Sequence, residues 1–145
     1  MVCNSLAQAA ATFAVKFNVK PINAMEQNKI YYDEFHVAGR QYHDANEAWE
    51  HLKIGTLLTL ERDESNRYDP DAIALTLTLD TVPQPRKLII GYVPRGHNEP
   101  IAKWLDMGYG CAFECCISKI DASLHYEQQL RVTLSLVRNP NALAK

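Results

Sequence analysis

Residues Leu52–Leu75 read LKIGTLLTLERDESNRYDPDAIAL. Leu58 and Leu60 alternate with Thr59 and Glu61, the period of a strand that turns one face to a core. The same period resumes in DAIALTLTLD, residues Asp71–Asp80, over a longer run. Between the two, DESNRYDP consists of turn formers and charge around one tyrosine. That composition predicts a surface loop held by its own side chains. Two strands joined by such a loop make a β-rich fold the starting expectation.

Working outward toward the C-terminus, TVPQPR at residues 81–86 carries two prolines and reads as a connection, followed by the strand KLIIGYVP. Gly91 inside that strand marks a bulge or a close backbone approach. Residues Asn98–Met107, NEPIAKWLDM, place Ile101, Trp104 and Leu105 on one helical face, with Pro100 in the first turn and Gly108 past the end. Two more strands follow, CAFECCISKI and QQLRVTLSLV, joined by DASLHYE, and the tail RNPNALAK carries no pattern.

Toward the N-terminus, the run from Lys29 to Tyr42 mixes aromatic and β-branched residues and closes at Gly39, which reads as a strand. Asp44 then offers a cap for a short helix over residues 44–52, with Glu47 three residues on and Ala48, Trp49 and Leu52 as its apolar side. Leu6, Ala10, Phe13 and Phe17 stand at helical spacing, Pro21 ends that pattern, and residues 18–28 read as a linker. The domain plan is therefore an N-terminal helix and linker (1–28), one core domain (29–138) and a short tail (139–145). The element order predicts a mainly β fold with two or three short helices, a small barrel or strongly bent sheet.

A chain of 145 residues suits one core, and 47% hydrophobic with 22% charged residues excludes wholesale disorder. The net charge of −2 argues against a generic nucleic-acid coat, so any nucleic-acid site must be local. No apolar run approaches the roughly 20 residues that span a bilayer. No basic residue precedes Lys16, as a secretory signal would require, so a cytoplasmic location is expected. Cys3, Cys111, Cys115 and Cys116 are too sparse for a disulfide framework and lack the paired spacing of a zinc site, so reduced thiols and no metal are expected. No P-loop or nucleophile elbow surrounds any cysteine, histidine or serine, and neither catalysis nor a cofactor is expected.

The same decisive stretch, together with IIGYVPR at Ile89–Arg95, resembles the HIRAN domain. Glu61, Arg62, Asn66, Tyr68, Asp69, Ala72, Ile73, Gly91, Tyr92, Val93, Pro94 and Arg95 match that family's pattern in order, and VAGRQYH at Val37–His43 matches its first strand. The resemblance covers roughly residues 29–137 and implies an OB-like Greek-key β-barrel. It also implies a module that holds single-stranded DNA, since the best-understood HIRAN domain captures a free 3′-hydroxyl end within a fork-remodelling ATPase.

Carried over residue by residue, the resemblance implies that Asp69 accepts a hydrogen bond from the terminal hydroxyl. An ionised carboxylate accepts from a hydroxyl and repels a phosphate. Tyr42, Tyr68 and, more loosely, Tyr126 stand at family positions for aromatics that stack on or frame the terminal nucleotides, a contact that tolerates any base. Arg95 matches a basic position that would take a phosphate, and charge alone makes Arg40 a second candidate. Gln41 stands where the DNA-binding member has arginine, and His43 and Tyr92 replace a tyrosine and a histidine. All three still donate to phosphate oxygens, with weaker affinity expected.

Each of these residues also has an ordinary structural role available. Asp69 beside Pro70 suits a side-chain turn cap, Tyr68 suits a loop anchor, and Arg95 suits a solvated charge. A competing function is a protein-interaction module that recruits a separate helicase or nuclease, with Tyr42, Tyr68, Tyr92 and Tyr126 as its anchors.

Overall fold

The computed structural model of the chain describes residues 28–139. The expected helix over residues 5–17 lies outside them. Six antiparallel strands form one sheet: β1 Lys29–His36, β2 Leu57–Arg62, β3 Ile73–Leu79, β4 Arg86–Tyr92, β5 Phe113–Ile120 and β6 Leu130–Val137, in the order β1-β6-β5-β2-β3-β4. Two helices complete the described part, α1 Ala45–Ala48 and α2 Asn98–Asp106, with short 3-10 turns at Arg40–Tyr42, Trp49–His51, Gly110–Ala112 and Tyr126–Gln128.

The alternation read from sequence is what places the core. Leu130, Val132 and Leu134 point inward from β6 while Arg131, Thr133 and Ser135 do not. They meet Phe35 and Val37, Leu58, Ile73, Leu75, Leu88, Ile90 and Ile117 inside the curl of the sheet, and Ile101 and Ala102 of α2 join that cluster. Burying each of the larger aliphatic side chains contributes about 1.5–3 kcal/mol. Trp104, expected on the buried face of α2, is instead 41% exposed. Its ring meets Tyr109 and Phe113 edge-on, so the ladder of aromatics lies along the surface of α2.

The sheet does not close by continuous strand pairing. The outer strands β1 and β4 meet through a single bridge in which Ala38 and Tyr92 exchange both backbone hydrogen bonds, at 2.9 and 2.8 Å. The barrel is therefore OB-like and open. Gly91 permits the closure: a Cβ there would stand 2.4 Å from Val37 Cγ1 and 2.6 Å from the Ala38 carbonyl oxygen. The β3–β4 register slips beside it, between the pairs Leu75–Gly91 and Thr76–Ile89. Both meanings of a strand glycine, bulge and close approach, hold at this residue.

Asp44 stands at the N-cap of α1, as its position suggests, and its carbonyl accepts from the Ala48 N–H at 3.0 Å, but its carboxylate works elsewhere. Its side chain makes no capping bond to α1. The Asp44 carboxylate accepts from the Ile89 N–H at 2.9 Å, and the Asp44 N–H donates to the Ile89 carbonyl at 2.7 Å. One residue thus pairs the exposed edge of β4, where an open strand invites association.

Candidate nucleic-acid interface

The loop between β2 and β3 is built from its own side chains. Asn66 Oδ1 accepts from the N–H groups of Tyr68 (2.9 Å) and Asp69 (3.0 Å), and Asp69 Oδ1 accepts from the Asp71 N–H at 2.9 Å. Arg62 clamps the loop from below, donating to the carbonyls of Ala72 and Pro70 and to Asp106 on α2. The Asp106 carboxylate raises the Arg62 pKa further above its ordinary value. The side chain of Tyr68 stands at the tip with 85% of its surface exposed, so it is not an anchor into the core.

Around Asp69 the structure assembles a small polar cluster. Its Oδ2 accepts from Asn98 Nδ2 at 2.8 Å, and Arg95 Nε lies 3.7 Å from the same oxygen. Arg95 also donates to the Tyr68 carbonyl at 2.7 Å while its side chain remains 71% exposed. Asp69 therefore does cap its turn, as the ordinary reading expected, and still turns one carboxylate oxygen toward Arg95 beside an exposed tyrosine. Asn98 opens α2 and is 4% exposed.

Tyr92 and His43 continue the cluster. The Tyr92 hydroxyl donates to Asp63 Oδ2 at 2.7 Å, and the His43 ring packs on Tyr92 with centroids 5.0 Å apart. Burial, with Asp63 adding to it, pushes the Tyr92 phenol up to about 12. The hydroxyls of Ser65 and Tyr92 hold Asp63 below the usual carboxylate range. Asp63, whose carbonyl accepts from the Asn66 N–H at 3.2 Å, thus links the Tyr92–His43 pair to the loop that carries Tyr68 and Asp69.

Arg40 and Tyr126 belong to a neighbouring group, and here the charge-based expectation for Arg40 needs correction. Arg40 is 3% exposed. It donates to Gln129 Oε1 at 2.6 Å and to Asn46 Oδ1, while its guanidinium lies over the rings of Trp49 (4.7 Å) and Tyr126 (5.2 Å). Desolvation lowers its pKa from the ordinary arginine value. A guanidinium committed in this way ties the turn before α1 to the β5–β6 connection instead of presenting a free phosphate ligand. Tyr126 remains 45% exposed beside it, and the cleft of about 330 Å³ that they line also takes in Ala122. Gln41 and Tyr42, the latter 76% exposed, stand on the turn between the two groups.

Sequence reasoning missed three contributors. In the sequence Asp63 stands as one turn former among several, Asn98 at the start of a helix, and Trp49 on a short helix's apolar side. None of the three carries a local signal: Asn98, for one, lies 29 residues along the chain from the carboxylate it donates to.

Among the described residues no three histidine, cysteine, aspartate or glutamate side chains come close enough together to hold a metal. Cys115 is buried, and its thiol is pushed up to about 12 by that burial. No helix among the described residues is long and apolar enough to cross a membrane.

Comparison with known proteins places this geometry. A search of curated proteins returns no match. The fold is shared with a Lactobacillus plantarum protein solved as a structural-genomics target: 24% identity, TM-score 0.58, covering 77% of this chain and 97% of that one. It is shared also with the HIRAN domain of human HLTF at 16% identity and TM-score 0.51, covering 82% of this chain and 88% of that one. Residues 30–137, nearly the whole described barrel, match the model of the HIRAN domain. The chain therefore belongs to the HIRAN domain family, known as a DNA-binding module.

Proposed function

We propose that this chain holds single-stranded DNA at a free 3′-hydroxyl end, in processes linked to DNA repair or replication, and that it performs no catalysis itself. The observation that carries this reading is the setting of Asp69. Its side chain is 17% exposed, flanked by exposed Tyr68 on one side and by Arg95 on the other. A terminal nucleotide offers a base face, a hydroxyl donor and a phosphate, and these three groups answer them in turn. The backbone phosphate falls to Arg95, with Gln41 and His43 as further donors; the Tyr92 hydroxyl, expected from sequence to donate as well, is instead committed to Asp63. Stacking on Tyr68 and Tyr42 makes the expected binding independent of base sequence.

A second reading, a protein-interaction module for a separate helicase or nuclease, draws on a different face. Leu57, Met107 and Tyr109 are all more than half exposed, beside a cleft of about 700 Å³ between β2 and β5. Salt separates the two readings. Phosphate contacts weaken steeply as salt rises, whereas an apolar protein interface responds little.

The deciding experiment is fluorescence anisotropy with one short single strand carrying either a 3′-hydroxyl or a 3′-phosphate, at low and moderate salt. Tighter binding of the hydroxyl strand, lost in Asp69→Ala, supports end capture. No binding of either strand at low salt overturns it.

A further inference from the structure

We infer that Asn98 is the positioning residue that sets end selectivity at this site, an inference that rests on the proposed capture of a 3′-hydroxyl end at Asp69. Three observations converge on it. Asn98 is a polar side chain 4% exposed at the first position of α2, where the surrounding helix face buries Ile101 and Ala102. Its amide donates to Asp69 Oδ2 at 2.8 Å, across 29 residues of sequence. The other carboxylate oxygen already accepts from the Asp71 N–H at 2.9 Å, so one donor on each oxygen fixes the plane of the group.

That arrangement has a chemical consequence. Two neutral donors leave the carboxylate its remaining lone pairs, which accept from a hydroxyl and repel a phosphate. Arg95 Nε at 3.7 Å and the first turn of α2 would by themselves welcome a phosphate, since helix N-termini and guanidinium groups both favour anions. Asp69 occupies that corner with a built-in negative charge, and Asn98 keeps it there. Selectivity for a hydroxyl end depends on the pair, while overall affinity depends on Tyr68, Tyr42 and Arg95.

Asn98 has a neighbour that secures its own position. The preceding residue, His97, places Nδ1 2.7 Å from Asp33 Oδ2 on β1 and packs its ring against Phe35. The start of α2 is thus tied to the opposite edge of the sheet, and the Asn98 amide is presented from a fixed support. Held on a rigid element, one hydrogen bond can orient a binding group.

The test measures the ratio of dissociation constants for 3′-phosphate over 3′-hydroxyl strands in wild type, Asn98→Ala, and the exchange variant Asp69→Asn/Asn98→Asp. Thermal melts of each protein accompany the binding. In wild type the ratio exceeds one. In Asn98→Ala it falls roughly tenfold toward one, the scale of one hydrogen bond to a charged group, while binding of the 3′-phosphate strand is not weakened. The exchange variant keeps a donor and an acceptor facing each other, so it melts near wild type, yet its carboxylate stands on α2 and the ratio stays low.

A wild-type ratio of one overturns end capture itself, and this inference with it. A wild-type ratio above one that survives in Asn98→Ala overturns the inference alone, as does equal weakening of both strands, which marks a purely structural role. Recovery of the full wild-type ratio in the exchange variant also overturns it.

Discussion

The Tyr92 hydroxyl donates to Asp63 Oδ2 at 2.7 Å, joining the end of β4 to the first residue of the loop that carries Tyr68 and Asp69. The two groups make the stability of the site depend on pH at both extremes, Tyr92 through its burial first and Asp63 through the Ser65 hydroxyl first, with their mutual bond adding to each. Asp63 is held below its ordinary value of 3.8, so its contribution is present above that pH and is lost as pH falls through the lower folded value. Tyr92 ionises near 10 in the unfolded chain and at about 12 in the folded one, so its contribution holds below 10 and is lost as pH rises through 12. Tyr92→Phe is expected to lower stability by about 1 kcal/mol near neutrality, to remove the alkaline limb and to leave most of the acid limb, which rests first on the Ser65 hydroxyl. Urea denaturation across the pH range checks the limbs, and ultraviolet titration of tyrosine ionisation checks the alkaline shift directly.

Arg40 and Arg95 lead to opposite expectations, although the sequence offers both as phosphate ligands. Arg40→Ala strands the acceptors of Gln129 and Asn46 and removes a cation from two aromatic faces, so a loss of about 2–3 kcal/mol is expected. Arg40→Lys does not rescue it, because a single ammonium lacks the planar fork that reaches both acceptors. Arg95→Ala is expected to leave stability within about 0.5 kcal/mol, to weaken single-strand binding, and to reduce the salt slope by about one. Denaturation and salt-titrated anisotropy on the two variants check the contrast, and equal behaviour of the two would refute it.

The contrast between those arginines also marks where sequence stops being informative. Six strands and α2 are legible because their signals are local: period, proline and glycine all act within a few residues, although β1 ends at His36 where the pattern runs on to Tyr42, the chain turning instead at Gly39. The site loop was legible for the same reason, since Asn66 and Asp69 bond to neighbours two or three positions away. Arg40 was not, because the acceptor that removes it from solvent, Gln129, lies 89 residues along the chain. Asp44 does stand at the start of the helix that follows it, but the partner of its carboxylate is Ile89, 45 residues on. Partners at that separation are fixed by topology, which the pattern of a single segment does not encode.

Gly91 is where the open barrel is most vulnerable. A methyl group there would collide with Val37 Cγ1 and with the Ala38 carbonyl, the acceptor in the bridge to Tyr92. Backbone cannot move aside as a side-chain end can. Gly91→Ala is expected to cost at least 1–3 kcal/mol, the scale of overpacking a filled core. It should also free the Ala38 and Tyr92 amides to exchange. Hydrogen exchange at those two positions, with a denaturation curve, checks both parts, and native-like protection in the variant would refute the account of closure.

Tyr68 and Tyr42 allow binding to be separated from folding. These residues are 85% and 76% exposed, so truncating them removes little buried surface. Stacking on an aromatic contributes about 1–3 kcal/mol per base, and each of Tyr68→Ala and Tyr42→Ala is therefore expected to weaken single-strand binding by roughly fivefold to a hundredfold. Melting temperatures should stay at the wild-type value. Phenylalanine retains the ring face, so Tyr68→Phe and Tyr42→Phe should bind nearly as wild type does, and neither should acquire a base preference. The measurement is anisotropy with strands of different base composition beside a thermal melt. Full affinity in both alanine variants would show that the exposed tyrosines take no part in holding the strand, and would leave the proposed site without its base platforms.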